Sequence, residues 1–376
     1  MKYKKAKLPF TDLINRNKVV SPIINTLFDL FFSIVRYGNK LIKNEDGPLV
    51  IISLHRLGDT IFTIPAIRQI HKRYGKKIII LCFPESVPIY RIEFDNVQVC
   101  PVKHEEFRFG QRFAKHSAKS KLRNLKPEIL LDITGSMISA SMIYNIKAKQ
   151  IIGINRKQFS SIYDNLITVR EEPKLIDMYL DAISPLFEIF SQTDFKKQKK
   201  LINPLGRILI HPFAGWKEKE WNLKSIITLA SKLNKNYPVS LITQNNQLSS
   251  DVINELDYLN IELIQTNSVD ELIKAIIDCS LFIGNDSGPV NIANFLGKPT
   301  FSIYGATNPD YTASAEDHQR YIQKKLDCSA RQNEKYCTIG VGKYDCPGIQ
   351  CMNLLTVDEV YNNVTPIIDH YCNKKT

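Results

Sequence analysis

The sequence predicts an α/β protein of two doubly wound domains, each a parallel sheet covered by helices. Three observations carry this expectation. The chain has 376 residues, more than a single hydrophobic core usually supports. Short continuous apolar runs alternate with helical stretches, as buried parallel strands alternate with crossover helices. The alternation occurs twice, before and after a polar, lysine-rich stretch at 195–200.

Residues 1–46 stand apart as a basic, amphipathic extension. Residues 1–43 hold nine Lys/Arg and two Asp/Glu, so +7 of the chain's net charge of +12 sits there. Ile23–Val35 is the most apolar early stretch; it carries Asp29 and is too short to span a bilayer. Asn25, Asp29, Ser33 and Arg36 recur every three to four positions and share one helical face, while Ile23, Ile24, Leu27, Phe28, Phe31, Ile34 and Val35 share the other. Such a helix either lies in a membrane interface or packs its apolar stripe on the neighbouring domain. No secretory signal is expected here, so the eight cysteines read as reduced thiols or metal ligands rather than a disulfide framework.

Asn44-Glu-Asp-Gly-Pro48 is turn chemistry and closes the extension. The first domain is expected over 47–195, with strands at Leu49–Leu54, Lys77–Cys82 and Ile129–Ile133 and a helical stretch ending near Gly75. The second is expected over 196–376, with strands at Arg207–His211, Val239–Thr243, Leu281–Gly284 and Thr300–Tyr304 and a last helix at Val357–Tyr371. Two such halves are expected to face each other across a cleft at the carboxyl ends of their strands, where doubly wound sheets bind ligands.

The chain is 44% hydrophobic and 23% charged, an ordinary globular balance. Its positive charge calls for an anionic partner: nucleic acid, an acidic membrane surface or a phosphorylated substrate. No nucleic-acid motif accompanies the charge, which turns the reading away from nucleic acid. No Gly-x-Gly-x-x-Gly follows a strand, which turns it away from a nicotinamide dehydrogenase.

Three strings carry chemistry. Leu57-Gly58-Asp59, with Pro65-Ala66 beyond, stands where the first strand turns into a helix; Gly58 permits a tight turn. Asp59 is either a helix cap or a general base at the carboxyl edge of the strand. His211-Pro-Phe-Ala-Gly215-Trp-Lys-Glu-Lys219-Glu-Trp221 follows the first strand of the second half; a Gly-containing loop with several cations suits a diphosphate, and Trp221 anchors the next helix if the loop is merely solvated. Gly284-Asn-Asp286-Ser287-Gly288-Pro289-Val-Asn291 ends a strand and opens a helix, whose free N–H groups form an anion site. Gly297-Lys-Pro-Thr300 and Tyr304-Gly305-Ala-Thr307-Asn-Pro309 follow it.

In this order and spacing, over roughly residues 48–365, these strings resemble glycosyltransferase family 9, the ADP-heptose:lipopolysaccharide heptosyltransferases. The resemblance implies a GT-B fold: two Rossmann-like domains facing a central cleft, the donor held mainly by the C-terminal one. It implies Asp59 as the base that deprotonates the acceptor hydroxyl and Lys219 as a ligand of the donor phosphates. Asp286 would contact the donor sugar, Ser287 and Gly288 would offer backbone N–H groups to the diphosphate, and Asn291 and Thr307 would complete the donor site. The transfer would be inverting and require no cofactor. Donor and acceptor would be ADP-heptose and a phosphorylated glycolipid, an inner-core lipopolysaccharide sugar. The enzyme would work in the cytoplasm, on the inner face of the cytoplasmic membrane. Another nucleotide sugar, an autotransporter acceptor and a non-catalytic nucleotide- or glycolipid-binding relative are the alternatives. Two positions depart from the family: Asn291 stands where most members carry His, and Ser53 where many carry a basic residue, with Arg56 nearby. Asn291 can hydrogen-bond a hydroxyl or phosphate but carries no charge, which leaves the donor sugar open.

Two further clusters remain. Arg108, Arg112, Lys115, Lys119, Arg123 and Lys126 are spaced to fall near one helical face; with Arg56, the residues Arg108, Arg112 and Lys115 are candidates for binding a phosphorylated acceptor, the alternative being a solvated face. Cys328-x8-Cys337-x8-Cys346-x4-Cys351 places four thiols in 24 residues. They would hold a structural zinc or iron, or else close a loop as small buried side chains. Gly340-Val-Gly342-Lys343 within the segment lacks the spacing of a phosphate-binding loop.

Overall fold

The computed structural model describes residues 20–41, 46–108, 113–154, 160–169, 174–186, 203, 205–314, 316–337, 346 and 348–372. They fall into two compact units. One draws on Met1–Arg56, Phe62–Arg170 and Ile176–Asp194, the other on Leu57–Ile61, Glu171–Leu175 and Phe195–Thr376.

The first unit holds β1 (Leu49–Ser53), β2 (Ile78–Cys82), β3 (Gln98–Pro101), the short pair β4 (Phe107–Arg108) and β5 (Phe113–Ala114), β6 (Ile129–Asp132), β7 (Gln150–Ile154) and β8 (Asn165–Ile167). Its six-stranded sheet runs β3-β2-β1-β6-β7-β8. The second unit holds β9 (Ile208–His211), β10 (Val239–Gln244), β11 (Glu262–Thr266), β12 (Leu281–Asn285), β13 (Thr300–Tyr304) and β14 (Gln319–Gln323), in the order β11-β10-β9-β12-β13-β14. All pairings within both sheets are parallel. Each order runs outward from the first strand, then jumps back to its other side, the doubly wound pattern. The central strands β1, β2, β12 and β13 are buried along their whole length, because helices cover both faces. In the second unit Ile208, Ile210, Leu281, Ile283, Phe301 and Ile303 pack with Trp221 and with Val360, Val364 and Ile368 of the last helix, Val357–Tyr371.

The N-terminal helix Val20–Leu41 packs on the first unit through Phe32, Val35, Arg36 and Asn39, which leaves most of its apolar stripe outward, as the interfacial reading has it and the packing reading does not. Arg36, which the spacing puts on the polar face, is 5% exposed. It makes an ion pair with Asp164 and donates to the Ala148 carbonyl oxygen at 3.0 Å. Asn39 donates to Asn145 Oδ1 at 3.2 Å. Phe32 and Val35 complete the packed face, while Leu27, Leu30, Phe31, Ile34 and Tyr37 face outward. A buried guanidinium needs a countercharge, and Asp164 supplies it at the cost of turning the apolar stripe out. Among the described residues no helix is long and apolar enough to cross a membrane.

Candidate active site

In the second unit the polar residues gather at the carboxyl ends of β9, β12 and β13, on either side of the point where the strand order reverses. Asp286 directly follows β12 and is 2% exposed. Its Oδ2 accepts hydrogen bonds from Lys219 Nζ and Thr307 Oγ1, both at 2.6 Å. Lys219 comes from the 3-10 turn Lys217–Lys219 after β9, and its ammonium also lies 4.7 Å from the centre of the Trp216 ring. Three segments far apart in sequence thus meet on one carboxylate, whose burial demands a countercharge.

Asn285, which sequence reasoning did not single out, sets the loop that carries Lys219. It is fully buried; its Oδ1 accepts from the Trp221 backbone N–H at 3.0 Å and its Nδ2 donates to the Pro212 carbonyl at 2.7 Å. Both ends of the 212–221 loop are thereby tied to the end of β12. Trp221 behaves as the anchor the sequence suggests: it is 1% exposed and donates to the Leu355 carbonyl at 3.0 Å. Gln323 fixes the opposite loop, donating to the Gly305 and Thr307 carbonyls at 2.9 and 2.8 Å. Asn285 lies inside the motif and Gln323 at the end of an edge strand; neither was singled out, since both act on backbone groups that sequence does not display.

Ser287 occupies the N-cap of the helix Gly288–Phe295, yet its hydroxyl makes no capping hydrogen bond. Ser287 Oγ and Asn291 Oδ1 are both buried without a partner. Buried polar atoms are normally paired. Two orphans beside a helix N-terminus match a ligand that brings both hydroxyls and negative charge. His211, the last residue of β9, was also passed over as a site residue. Its Nδ1 is buried without a partner, and burial pulls its ring down to about 4, so it is neutral at pH 7.

Gly58 and Asp59 belong to the same unit, through the first turn of the helix Leu57–Arg73. Gly58 does not make the tight turn expected of it: it is the second residue of that helix. What it permits is close approach. A Cβ on Gly58 would lie 3.2 Å from Asn291 Nδ2 and 3.3 Å from Gly288 Cα, and one on Gly288 would lie 3.4 Å from the Gly58 nitrogen. Asp59 is half-buried and does not cap the helix; Arg56 holds the N-cap position, without a side-chain capping bond. Among the described residues the Asp59 carboxylate has no hydrogen bond or ion pair, so its lone pairs are open to a proton.

The basic run does not form one helical face. Arg108 lies in β4, paired with β5, and the helix begins only at His116. Phe107 and Ala114 bury into the core across that pair, which forces strand geometry and points Arg108 outward. Lys115 takes the N-cap position of the helix, and Lys126 lies beyond its end with φ of 46°. Arg112 lies outside the described residues. Arg56, Arg108 and Lys115 therefore sit on three different elements.

Cys328, Cys337, Cys346 and Cys351 line one cavity of about 150 Å³, together with Glu218 and Gly305. Burial, and then the other three thiols, push the Cys351 thiol up to about 11. Among the described residues no three His, Cys, Asp or Glu side chains are arranged to hold a metal ion. The string Gly340-Val-Gly342-Lys343 lies outside the described residues.

Residues 115–339 match the family model described as glycosyltransferase family 9 (heptosyltransferase). The chain is 23% identical to lipopolysaccharide heptosyltransferase 1 of Campylobacter coli, over 70% of this chain and 85% of that protein. Its fold is that of the E. coli heptosyltransferase WaaC with ADP-2-deoxy-2-fluoro heptose, with a TM-score of 0.63 and 13% identity over 85% of this chain and 99% of that one. The iron-containing dodecameric glycosyltransferase TibC from enterotoxigenic E. coli matches with a TM-score of 0.52 and 12% identity, covering 87% of this chain and 77% of that one.

Proposed function

The chain belongs to glycosyltransferase family 9, the heptosyltransferases, and from that membership we propose that it moves a heptose from ADP-heptose to an inner-core sugar of lipopolysaccharide, with inversion. The observation that carries this reading is the set of unpaired polar groups around one buried ion pair. Lys219 is held on Asp286, Ser287 Oγ and Asn291 Oδ1 lack partners, and the unpaired Asp59 lies one residue from the glycine that abuts Gly288 and Asn291. Lys219 and the N–H groups at Ser287–Gly288 receive the diphosphate, and Asp286 and Asn291 receive sugar hydroxyls.

In the reaction the acceptor hydroxyl oxygen bonds to the anomeric carbon while its proton passes to Asp59. The bond from that carbon to the diphosphate oxygen breaks, and its electron pair leaves with ADP. Lys219 and the helix start stabilise the charge that develops on the leaving group. No metal takes part in this step. Asn291, neutral where most family members carry His, sets a donor site that recognises hydroxyls without a second cation. We place the acceptor on a phosphorylated glycolipid at the inner face of the cytoplasmic membrane, with Arg56, Arg108, Arg112 and Lys115 as its candidate ligands.

The four cysteines line one cavity and thiolates suit zinc and iron, but no three of the described side chains are arranged around an ion. A bound ion would fix that segment beside Glu218 and Gly305 and supply no chemistry to the transfer.

The test is incubation with a panel of nucleotide sugars and a heptose-free inner-core acceptor, read by mass spectrometry. A product heavier by one heptose, formed from ADP-heptose alone, is the expected result. A product from a different donor, with none from ADP-heptose, would overturn the donor assignment.

A further inference from the structure

The N-terminal helix carries its charge inside and its grease outside. Leu27, Leu30, Phe31, Ile34 and Tyr37 are 61, 59, 54, 64 and 68% exposed. At about 100° per residue these five positions fall within roughly 120° of arc. The opposite face holds Phe32, Val35, Arg36 and Asn39 against the first unit. The helix cannot roll to hide the stripe, because Arg36 and Asp164 have side chains only 7 and 11% exposed, and separating them would strand two buried charges. A contiguous outward row of large apolar side chains marks an interaction surface.

We propose that this stripe docks the protein on an anionic lipid surface, lying in the plane of the interface. Charge complementarity selects this occupant. Residues 1–43 hold nine Lys/Arg against two Asp/Glu, and one of those cations, Arg36, is committed inward to Asp164. A positively charged segment flanking an apolar stripe combines the two components of interfacial binding: burial in the acyl boundary and attraction to anionic headgroups. A second copy of the chain would cover the same stripe but would bring two +7 segments together. The proposal rests on the membrane reading above and names the face that performs it; it does not depend on which sugar is transferred.

The test is flotation of the full chain with vesicles of phosphatidylcholine containing 30% phosphatidylglycerol, and with phosphatidylcholine alone. Wild type is expected to float with the anionic vesicles, at least about fivefold less at 0.5 M salt and with the neutral ones. The Leu30→Ser, Ile34→Ser double variant changes only exposed side chains, so it is expected to keep the wild-type melting temperature and to lose flotation at low salt. Wild type that stays unfloated, or a folded double variant that floats like wild type, would overturn the proposal. So would a wild-type dimer that the double variant abolishes while neither protein floats. Transfer to a soluble oligosaccharide acceptor, measured in parallel, separates the two readings. Wild type and the double variant are expected to be equally active on it. Flotation without transfer would sink the reaction and leave the docking surface standing; transfer without flotation would do the reverse.

Discussion

Lys219 and Asp286 hold each other: ammonium and carboxylate are 2.6 Å apart, with side chains 15 and 3% exposed. The residue we propose as the donor-phosphate ligand is thus aimed by the carboxylate of Asp286. Asp286 fixes where the Lys219 ammonium stands, and Thr307 shares the same carboxylate oxygen.

Lys219→Ala is therefore expected to do two things at once. It removes the proposed phosphate ligand, and it leaves Asp286 buried without its countercharge, a loss of about 3–5 kcal/mol. The melting temperature should fall and ADP should bind more weakly by calorimetry. Combining Lys219→Met with Asp286→Asn removes both charges, so it should recover most of the stability but none of the ADP affinity. A double variant that binds ADP like wild type would remove Lys219 from the phosphate site.

Gly58→Ala tests the approach of two backbones. Alanine favours the helix by about 1 kcal/mol over glycine, so the melting temperature should hardly change. Its Cβ would press on Gly288 Cα and the Asn291 amide at 3.2–3.3 Å. Relieving those contacts takes a shift of a few tenths of an ångström beside Asp59, and rate falls steeply with misplacement, by about 100-fold for 1 Å. We expect at least a tenfold loss of kcat in initial-rate assays. A folded variant with unchanged kcat would mean that the contact has no catalytic consequence.

Much of this was readable in the sequence, and the gaps have physical causes. The central strands β1, β2, β6, β9, β10, β12 and β13 announce themselves as continuous apolar runs because both faces are covered. The edge strands β3, β8, β11 and β14 did not, because they are partly exposed along their length and so carry mixed residues. β7 is buried but was also missed; Gly153 interrupts its run, and a Cβ there would stand 2.0 Å from the Tyr163 ring. The turn from strand to helix at Asp286–Gly288 was legible because the string ends an apolar run and supplies a Ser N-cap and an early Pro. The inward Arg36 was not, because nothing local to the helix signals Asp164, 128 residues away. The basic run misled for a related reason: its helical spacing was overridden at Phe107 and Ala114 by burial in the core.

The four cysteines make a prediction of their own. If they share a structural ion, purified protein should carry about one zinc or iron per chain, and Cys351→Ser should lose it together with thermal stability. Loading should release protons, because thiols must deprotonate to bind and burial holds that of Cys351 up at about 11. Elemental analysis finding no metal, with four titratable thiols in the segment, would assign them to packing alone.

We propose Asp59 as the base of a transferase whose donor site begins at Asp286. Asp59→Asn keeps the size of the side chain and removes its basicity. Because Asp59 makes no capping bond and has no partner among the described residues, the change should leave the fold intact. The decisive measurement is kcat for heptose transfer alongside the calorimetric affinity for ADP, in wild type and Asp59→Asn. We expect kcat to fall roughly 100-fold or more, with ADP affinity nearly unchanged. Near-normal turnover in a folded Asp59→Asn would contradict it.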